Sequence, residues 1–339
     1  MRKNVLLTVA AVVFCAATGL FLTREKTQGN DGKRILRTVE DVPLPGPAVR
    51  FDYQSLDPSN GRLYLAHMNA DHLVVFDVAK RQVFEYLDGF HRVHGVIAVP
   101  EIDRVYASVT GDHEVAVVDR SSLRTIAKVG YVNYPDGLAY AAKAQRVFVS
   151  DEHGNADAVI DAKNSKLLKT IALRGGAGNT VYDTVADCIL VAVHGANELV
   201  VIDPEKLEIT RHVALPGIED PHGIALDEEN RLAFVAGEGN NQMAIVDLRE
   251  MRLAAKLPVG KDPDVLAFDA GAKRLYVSAE SGQVTVFRES DRNLIPEGRI
   301  DIPHAHSVSV DPKTHLVYFP LENVNGKPLL RIMEWTGTE

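Results

Sequence analysis

Short runs of alternating apolar residues, separated by polar turns, recur along the chain from about residue 34 to its end. Between Asp220 and Asn240, for example, the run IAL is followed by the polar turn DEENR and then by the run LAFVA. Alternation of this kind over four to eight residues is typical of β-strands. No stretch after residue 33 keeps a helical period of apolar residues over three turns. The pattern therefore predicts an all-β protein.

The apolar runs are organised into a repeat. Seven loop-to-strand junctions follow one another at intervals of 42 or 43 residues, with Gly, Asp or Asn in the turns between the runs. A unit of about 42 residues with four strands is the period of one blade of a β-propeller. Seven junctions therefore predict an all-β, seven-bladed β-propeller with four strands in each blade.

The last unit is one strand short. It provides HSVSVD, LVYFP and LLRIMEW, whereas an unassigned run, RILRTVEDVPL, precedes the first unit at about residues 34–44. That run resembles the fourth runs LRTIAKV and LLKTIAL. We expect it to join the last blade, because this closes the ring and covers a sheet edge that would otherwise promote aggregation. Residues 34–339 are therefore predicted to form one domain.

The repeat units also carry a family resemblance. Units such as PHGIALDEENRLAFVAGEGNNQMAIVD, which begins at Pro221, resemble the YVTN-repeat, YncE-like β-propeller family from about residue 34 to the end. The resemblance implies the fold but no particular activity, because propellers carry many unrelated functions. Related architectures include surface-layer proteins, methylamine dehydrogenase heavy chains, and enzymes of the streptogramin-lyase or gluconolactonase kind. The sequence has no CxxCH haem motif and no cysteine cluster for an iron–sulfur centre.

The N-terminus predicts export. Arg2 and Lys3 precede an uncharged, mostly apolar run from Val5 to Leu22, so residues 1–22 are predicted to be a signal peptide or a signal anchor. An uncleaved run over 5–22 is just long enough to span a bilayer. Residues 23–33 are polar and are predicted to be a linker. In both cases we expect a periplasmic or other extracytoplasmic propeller, which contacts the membrane only through an uncleaved anchor.

Charge and cysteine content narrow the range of partners. The whole chain carries a net charge of −9, and residues 34–339, with 32 Lys/Arg and 44 Asp/Glu, carry −12. A nucleic-acid-binding protein normally has a basic surface, so no nucleic acid is expected as a partner. Cations or basic ligands fit the negative net charge better. The predicted propeller has one cysteine, Cys188, and hence no disulfide; we expect it to pack in the core.

The seven junctions share one residue chemistry. Because the first strand of each blade lines the central channel, the junction residues are predicted to form a ring at one mouth of that channel. Every member is Asp, Asn or His, in blade order Asp52, His94, Asp136, Asn179, His222, Asp264 and His306. One interpretation is structural, because such side chains fix tight turns by hydrogen bonds to the backbone. The other is a divalent metal site, for example with His94, His222 and His306 converging from three blades and Glu238 or Asp264 in support.

A second group of polar residues is predicted near the same mouth, where the second strand of each blade ends. Alignment of these strand ends gives seven candidate ligand-binding residues: His67, Asp151, Glu152, His194, Glu238, Glu280 and Glu322. His304 is an eighth candidate, because it lies two residues before the ring, as Asp220 and Asp262 do in their blades. On an extended strand, residues two apart point to the same side.

The sequence therefore favours an exported, non-catalytic binding module. Its channel mouth, lined by His, Asp and Glu, would bind a metal ion, a small ligand or a protein partner. One alternative is a metal-dependent hydrolase or lyase, of the lactonase or streptogramin-lyase kind, with His222 or Glu238 as general acid or base. A second alternative is an interaction scaffold for a cell-envelope protein, without a small-molecule site.

Overall fold

The computed structural model describes residues 35–337, which form seven four-stranded antiparallel sheets. This confirms the predicted seven-bladed β-propeller. The helices within this range are single 3-10 turns at Met68–Ala70, Pro100–Ile102, Thr110–Asp112 and Glu238–Asn240. None of the residues in this range belongs to a helix that could cross a membrane. The predicted signal segment (1–22) and linker (23–33) lie outside the described residues.

In each blade the first strand is the innermost and the second strand pairs with it. The first strands of blades one to seven are Gln54–Asp57, Val93–Val99, Pro135–Ala141, Ala177–Asp183, Pro221–Asp227, Pro263–Asp269 and Ser309–Val310. The second strands are Arg62–His67, Arg104–Val109, Arg146–Asp151, Cys188–Val193, Leu232–Gly237, Arg274–Ala279 and Val317–Val324.

The third and fourth strands form the outer half of each blade. The third strands are His72–Asp77, Glu114–Asp119, Ala156–Asp161, Glu198–Asp203, Gln242–Asp247, Gln283–Ser290 and Lys327–Trp335. The fourth strands of blades one to six are Gln82–Asp88, Thr125–Gly130, Lys166–Ala172, Glu208–Ala214, Arg252–Pro258 and Asn293–Asp301.

Burial explains why the middle strands are apolar on both faces. Each blade is packed between two neighbours, so its second and third strands have no solvent-facing side. Leu63, Tyr64 and Leu65, successive residues of one second strand, are all fully buried. The fourth strands consist mainly of exposed and half-buried residues because they lie at the outer rim of the propeller. The core is therefore a series of apolar layers between blades, and Cys188 packs in one of them.

The fourth strand of blade seven comes from the N-terminus, as predicted. Leu36–Pro43 pairs antiparallel with Lys327–Trp335, from Leu36 opposite Trp335 to Pro43 opposite Leu329. Leu36 is buried in the apolar cluster between blades six and seven. Arg331 adds two contacts to Asp41 across the same pair of strands, at 2.8 and 2.6 Å. The ring is thus closed by strands from both ends of the domain.

One carboxyl group, that of Asp157, is buried in the core. Asp157, on the third strand of blade three, is fully buried. Burial raises its pKa to about 7, and neither carboxyl oxygen has a hydrogen-bond partner among residues 35–337. An ionised carboxylate in this position is therefore costly.

Replacing Asp157 with Asn is expected to make the stability of the protein less sensitive to a rise in pH from 5 to 8. The folded-state pKa of Asp157 lies above the value of about 3.9 in an unfolded chain, so its contribution to stability is present at low pH and is lost as pH rises through about 7. Between pH 5 and pH 8 that loss is about 2–3 kcal/mol in the wild type. Denaturant unfolding of both proteins across this range measures it; parallel pH profiles would contradict the assignment.

Candidate functional site

A β-bulge at the start of the first strand positions the ring residues in blades two to six. In blade five, Pro221 lies opposite Gly237 and Ile224 lies opposite Val235. Two residues of the first strand therefore lie opposite a single residue of the second strand. The same shift occurs in blades two, three, four and six. A bulge bends a strand and redirects its side chains. In blades two, three, five and six the two unpaired residues begin with the ring residue. In blade four they are Gly178 and Asn179, so Gly178 holds the position of the ring residue and the prediction of Asn179 was one residue out of register.

Glycine follows the ring residue in blades two, three and five because neighbouring blades approach closely there. A Cβ on Gly95 would overlap the backbone oxygen of Asp136, and a Cβ on Gly223 would overlap that of Asp264. Neither glycine has a positive φ. A left-handed turn is therefore not the reason for these two glycines. They allow ring residues of adjacent blades to lie side by side.

The ring borders a cavity of about 360 Å³, which we call the mouth cavity. Eight of the predicted residues line it: Asp52, His94, Asp136, Glu152, His222, Glu238, Asp264 and Glu280. Five other lining residues were not among the candidates: Arg50, Tyr53, Met68, Arg92 and Tyr134. Tyr53 also lines a second cavity of about 330 Å³ deeper in the channel, whose walls are mainly apolar first-strand residues.

Three of the five residues that were not predicted share one repeat position. Arg50, Arg92 and Tyr134 each lie two residues before the ring residue of their blade. We considered that position only in blades five to seven, where it holds Asp220, Asp262 and His304. The same repeat position in blades one to three predicts these three lining residues.

In blades five to seven the same position points elsewhere. Asp220, Asp262 and His304 have left-handed backbone conformations, with φ of 47°, 54° and 69°. They are not on an extended strand, so the argument from strand alternation does not apply to them. Arg92, at the same position in blade two, also has a φ of 47° and yet lines the cavity, so φ alone does not decide which of these residues face it. His304 is largely exposed and its Nδ1 lies 2.8 Å from Glu322 Oε1. Neither His304 nor Glu322 lines the mouth cavity.

Four more candidates lie near the mouth without lining its cavity. His67 is buried and stacks on Phe51 at 3.9 Å between ring centroids. Asp151 accepts hydrogen bonds from three backbone N–H groups, at 2.7–3.0 Å. His194 lies beside His222, with ring centroids 5.2 Å apart. Asn179 lines the deeper cavity, and its Oδ1 accepts a hydrogen bond from the Thr180 N–H. Burial lowers the pKa of both His67 and His194 to about 4.

The residues that converge are two aspartates and one histidine. Asp52, Asp264 and His306 each offer one ligand atom, and these atoms all lie within 4.8 Å of one another. They come from blades one, six and seven, on both sides of the ring closure. All three are buried. The expected convergence of His94, His222 and His306 is therefore replaced by a group that contains only one of them.

His306 is prepared for ligation in this group. It is 4 % exposed, and its Nε2 has no hydrogen-bond partner among residues 35–337. Burial lowers its pKa, and the nearby Arg50 lowers it further. The imidazole is therefore neutral at neutral pH, which is the form that binds metal ions.

His222 is held in the opposite state. Its Nδ1 lies 3.2 Å from Asp264 Oδ1 and its Nε2 lies 3.8 Å from Asp136 Oδ2. Burial alone would lower its pKa, but these two carboxylates outweigh burial and raise the pKa to about 10. His222 is therefore a cation at neutral pH. Its charge in turn lowers the pKa of Asp264, against the effect of burial.

The carboxyl groups of the mouth outnumber the cationic side chains that could neutralise them. Burial raises the pKa of Asp52 well above its ordinary range, and Asp136 and Asp264 add to this by repulsion. Burial also raises the pKa of Asp136, to about 7, and that of Glu238. Six carboxyl groups line the cavity, against the guanidinium groups of Arg50 and Arg92 and the imidazolium of His222. A bound cation would relieve this repulsion.

The fold is shared with solved structures. No family model and no curated protein matches the sequence. Hydrazine synthase from Kuenenia stuttgartiensis is 14% identical, with a TM-score of 0.73 over 89% of this chain and 99% of that chain. Virginiamycin B lyase from Staphylococcus aureus is 11% identical, with a TM-score of 0.73 over 88% and 99%. A streptogramin B lyase is 10% identical, with a TM-score of 0.74 over 89% and 98%. At such identities the similarity shows the seven-bladed fold alone.

Proposed function

We propose that this protein is an exported binding module whose channel mouth holds a divalent metal ion through Asp52, Asp264 and His306. One observation carries the proposal: ligand atoms of these three buried residues, from three blades, lie within 4.8 Å of one another. The unpartnered Nε2 of His306 supports it, because a buried nitrogen without a partner is costly unless a ligand is bound.

The donor set narrows the choice of metal. Two carboxylates and one neutral imidazole suit Zn²⁺ or another first-row ion better than Ca²⁺, which prefers six to eight oxygen ligands. Three protein ligands leave at least one coordination position for water or for a small ligand. Because Asp52 and Asp264 also line the mouth cavity, a small ligand in that cavity could reach a metal ion held by them.

Removing one carboxylate is expected to abolish tight metal binding. Asp264→Asn should weaken Zn²⁺ or Mn²⁺ affinity by about 100-fold or more, because it removes a charged ligand. Glu322→Gln is the matched control, since Glu322 lies on the same face but pairs with His304 outside the cavity. Isothermal titration of the wild type and both variants measures the effect. Equal affinities in all three would refute the site.

Metal affinity is also expected to rise with pH. The raised pKa of Asp52 means that a proton must leave this carboxyl group before it can ligate a metal at low pH. Titrations at pH 6 and pH 8 in buffers of different ionisation enthalpy should show weaker binding and more proton release at pH 6. A pH-independent affinity without proton release would place the ligands elsewhere.

The cellular setting belongs to the same proposal. Residues 1–22 would direct the chain out of the cytoplasm as a signal peptide or an anchor over 5–22, to a periplasmic or other extracytoplasmic location. Membership of the YVTN-repeat, YncE-like family is part of the proposal and has only the form of the repeats to support it. Large exposed apolar side chains such as Phe84, Ile126 and Leu168 lie on fourth strands of different blades. Because these side chains do not form one apolar patch, the alternative of an interaction scaffold for a cell-envelope protein has less support than the metal site.

A metal-dependent hydrolase or lyase is the second candidate. Two solved neighbours are lyases by name, and His222, with its pKa of about 10, could donate a proton to a leaving group in such a reaction. The same pKa argues against His222 as a general base. Turnover of a lactone panel with and without a chelator tests this candidate. Activity that needs the metal and is lost in His222→Gln would favour it; no turnover with bound metal would reject it.

A further inference from the structure

Two side chains that line the mouth cavity are hydrogen-bond donors without a side-chain acceptor among the described residues 35–337. The first is the phenol of Tyr53, a residue that is only 8 % exposed and lines the mouth cavity. Its hydroxyl has no hydrogen-bond partner among residues 35–337, although the carboxylates of Asp136 and Asp264 lie near enough to raise its pKa further beyond the effect of burial. A buried hydroxyl in this state is one that a ligand oxygen would satisfy.

The second donor is the guanidinium of Arg92. It lines the same cavity, but within residues 35–337 no carboxylate lies at ion-pair distance from it. Arg50, the other arginine of the mouth, differs because its Nη2 lies 2.6 Å from Glu280 Oε1. Arg92 is therefore a mouth arginine whose charge is available to a ligand.

The surroundings of Arg92 are fixed by hydrogen bonds. His94 Nδ1 lies 2.7 Å from the Arg92 carbonyl oxygen, and the Tyr134 hydroxyl lies 3.1 Å from His94 Nε2. His94 Nε2 also lies 3.9 Å from Asp52 Oδ2. A chain of polar contacts thus links the metal-site residue Asp52 with the backbone of Arg92.

We propose that the metal-loaded mouth binds a small anionic ligand, a carboxylate or a phosphate monoester. One oxygen of the ligand would occupy the open position of the metal, and others would accept hydrogen bonds from Arg92 and Tyr53. This inference rests on the proposed metal site. It adds an order of binding, because the metal ion would add positive charge to a cavity that six carboxyl groups line, and so would favour an anion there. The volume of about 360 Å³ limits the ligand to a small molecule.

The test compares anion binding with and without metal in the full chain. Malonate and inorganic phosphate are titrated into metal-free and Zn²⁺-loaded protein, with malonamide as the neutral control. We expect binding of at least one anion to the loaded form, at least tenfold weaker binding to the metal-free form, and no binding of malonamide. By reciprocity the anion should tighten metal binding by the same factor. The anion that binds more tightly distinguishes a carboxylate ligand from a phosphate ligand.

Variants identify the residues that bind the anion. Arg92→Gln is expected to weaken anion binding by about tenfold to 100-fold, and Tyr53→Phe by about three- to tenfold. Lys261→Gln should change nothing, because Lys261 is a highly exposed cation beside Asp262 and does not line the cavity. Metal affinity is measured separately for each variant.

The outcomes separate the two proposals. Metal binding without any anion binding would overturn this inference and leave the metal site intact. Anion binding that is equal with and without metal, or unchanged in Arg92→Gln, would also overturn it. A protein that binds no metal would overturn both.

Discussion

Removal of the N-terminal strand is expected to cost the propeller about 5 kcal/mol or more of its free energy of unfolding, a large share of the stability of a typical domain. A chain that starts at residue 45 lacks Leu36–Pro43 and so leaves Lys327–Trp335 as an unpaired edge. It also removes Leu36 from the apolar cluster that includes Val317 and Met333. We therefore expect a much lower unfolding temperature and aggregation through the exposed edge.

The matched comparison is a chain that starts at residue 34 and keeps the whole strand. Thermal unfolding and light scattering of the two proteins measure the difference. A synthetic peptide of residues 34–44, added in trans, should raise the unfolding temperature of the shorter chain, because it can refill the same edge. Equal unfolding temperatures without the peptide would mean that the strand does not close the ring.

Gly223→Ala is expected to destabilise the protein by about 2–4 kcal/mol, a large effect for one methyl group. The added Cβ would overlap the backbone oxygen of Asp264 in the next blade, so one first strand must move. Because Asp264 is a proposed metal ligand and lies beside His222, the same substitution should weaken metal binding. Structural stability and the site are thus coupled through one close contact between blades.

Gly130→Ala serves as the control for this substitution. Gly130 ends the fourth strand of blade two, has no positive φ, and would place a Cβ with nothing within 4 Å. It should therefore change the free energy of unfolding by less than about 0.5 kcal/mol. Denaturant unfolding and metal titration of both variants decide the matter. Equal stability of the two variants would show that the blades are not in close contact at Gly223.

The sequence was sufficient for the fold because the repeat encodes it. The strand period, the turn residues and the unassigned run at 34–44 each have a local signature, and the structure agrees with all three. The sequence position of residues such as Asp52 and His222 was also predictable from their spacing, but in blade four the register places Gly178, and not Asn179, at the position of His222. What a repeat specifies is the position of a residue within its blade.

The grouping of side chains across the channel was not predictable in the same way. Whether Asp264 contacts His222 or His306 depends on the β-bulges and on the distance between neighbouring first strands. The repeat pattern of the sequence predicts neither of these. The prediction that three histidines converge failed for this reason. Arg50 and Arg92 were missed for a simpler reason: their repeat position was read only in blades five to seven.

The central claim is that Asp52, Asp264 and His306 bind a metal ion. The most direct test is the metal content of the protein, purified without an affinity tag, beside a folded Asp52→Asn/Asp264→Asn variant. We predict about one first-row metal ion per wild-type chain, present on purification or after incubation with Zn²⁺ or Mn²⁺ and dialysis, and none in the variant. No metal in either protein after incubation, or equal metal in both, would contradict the account.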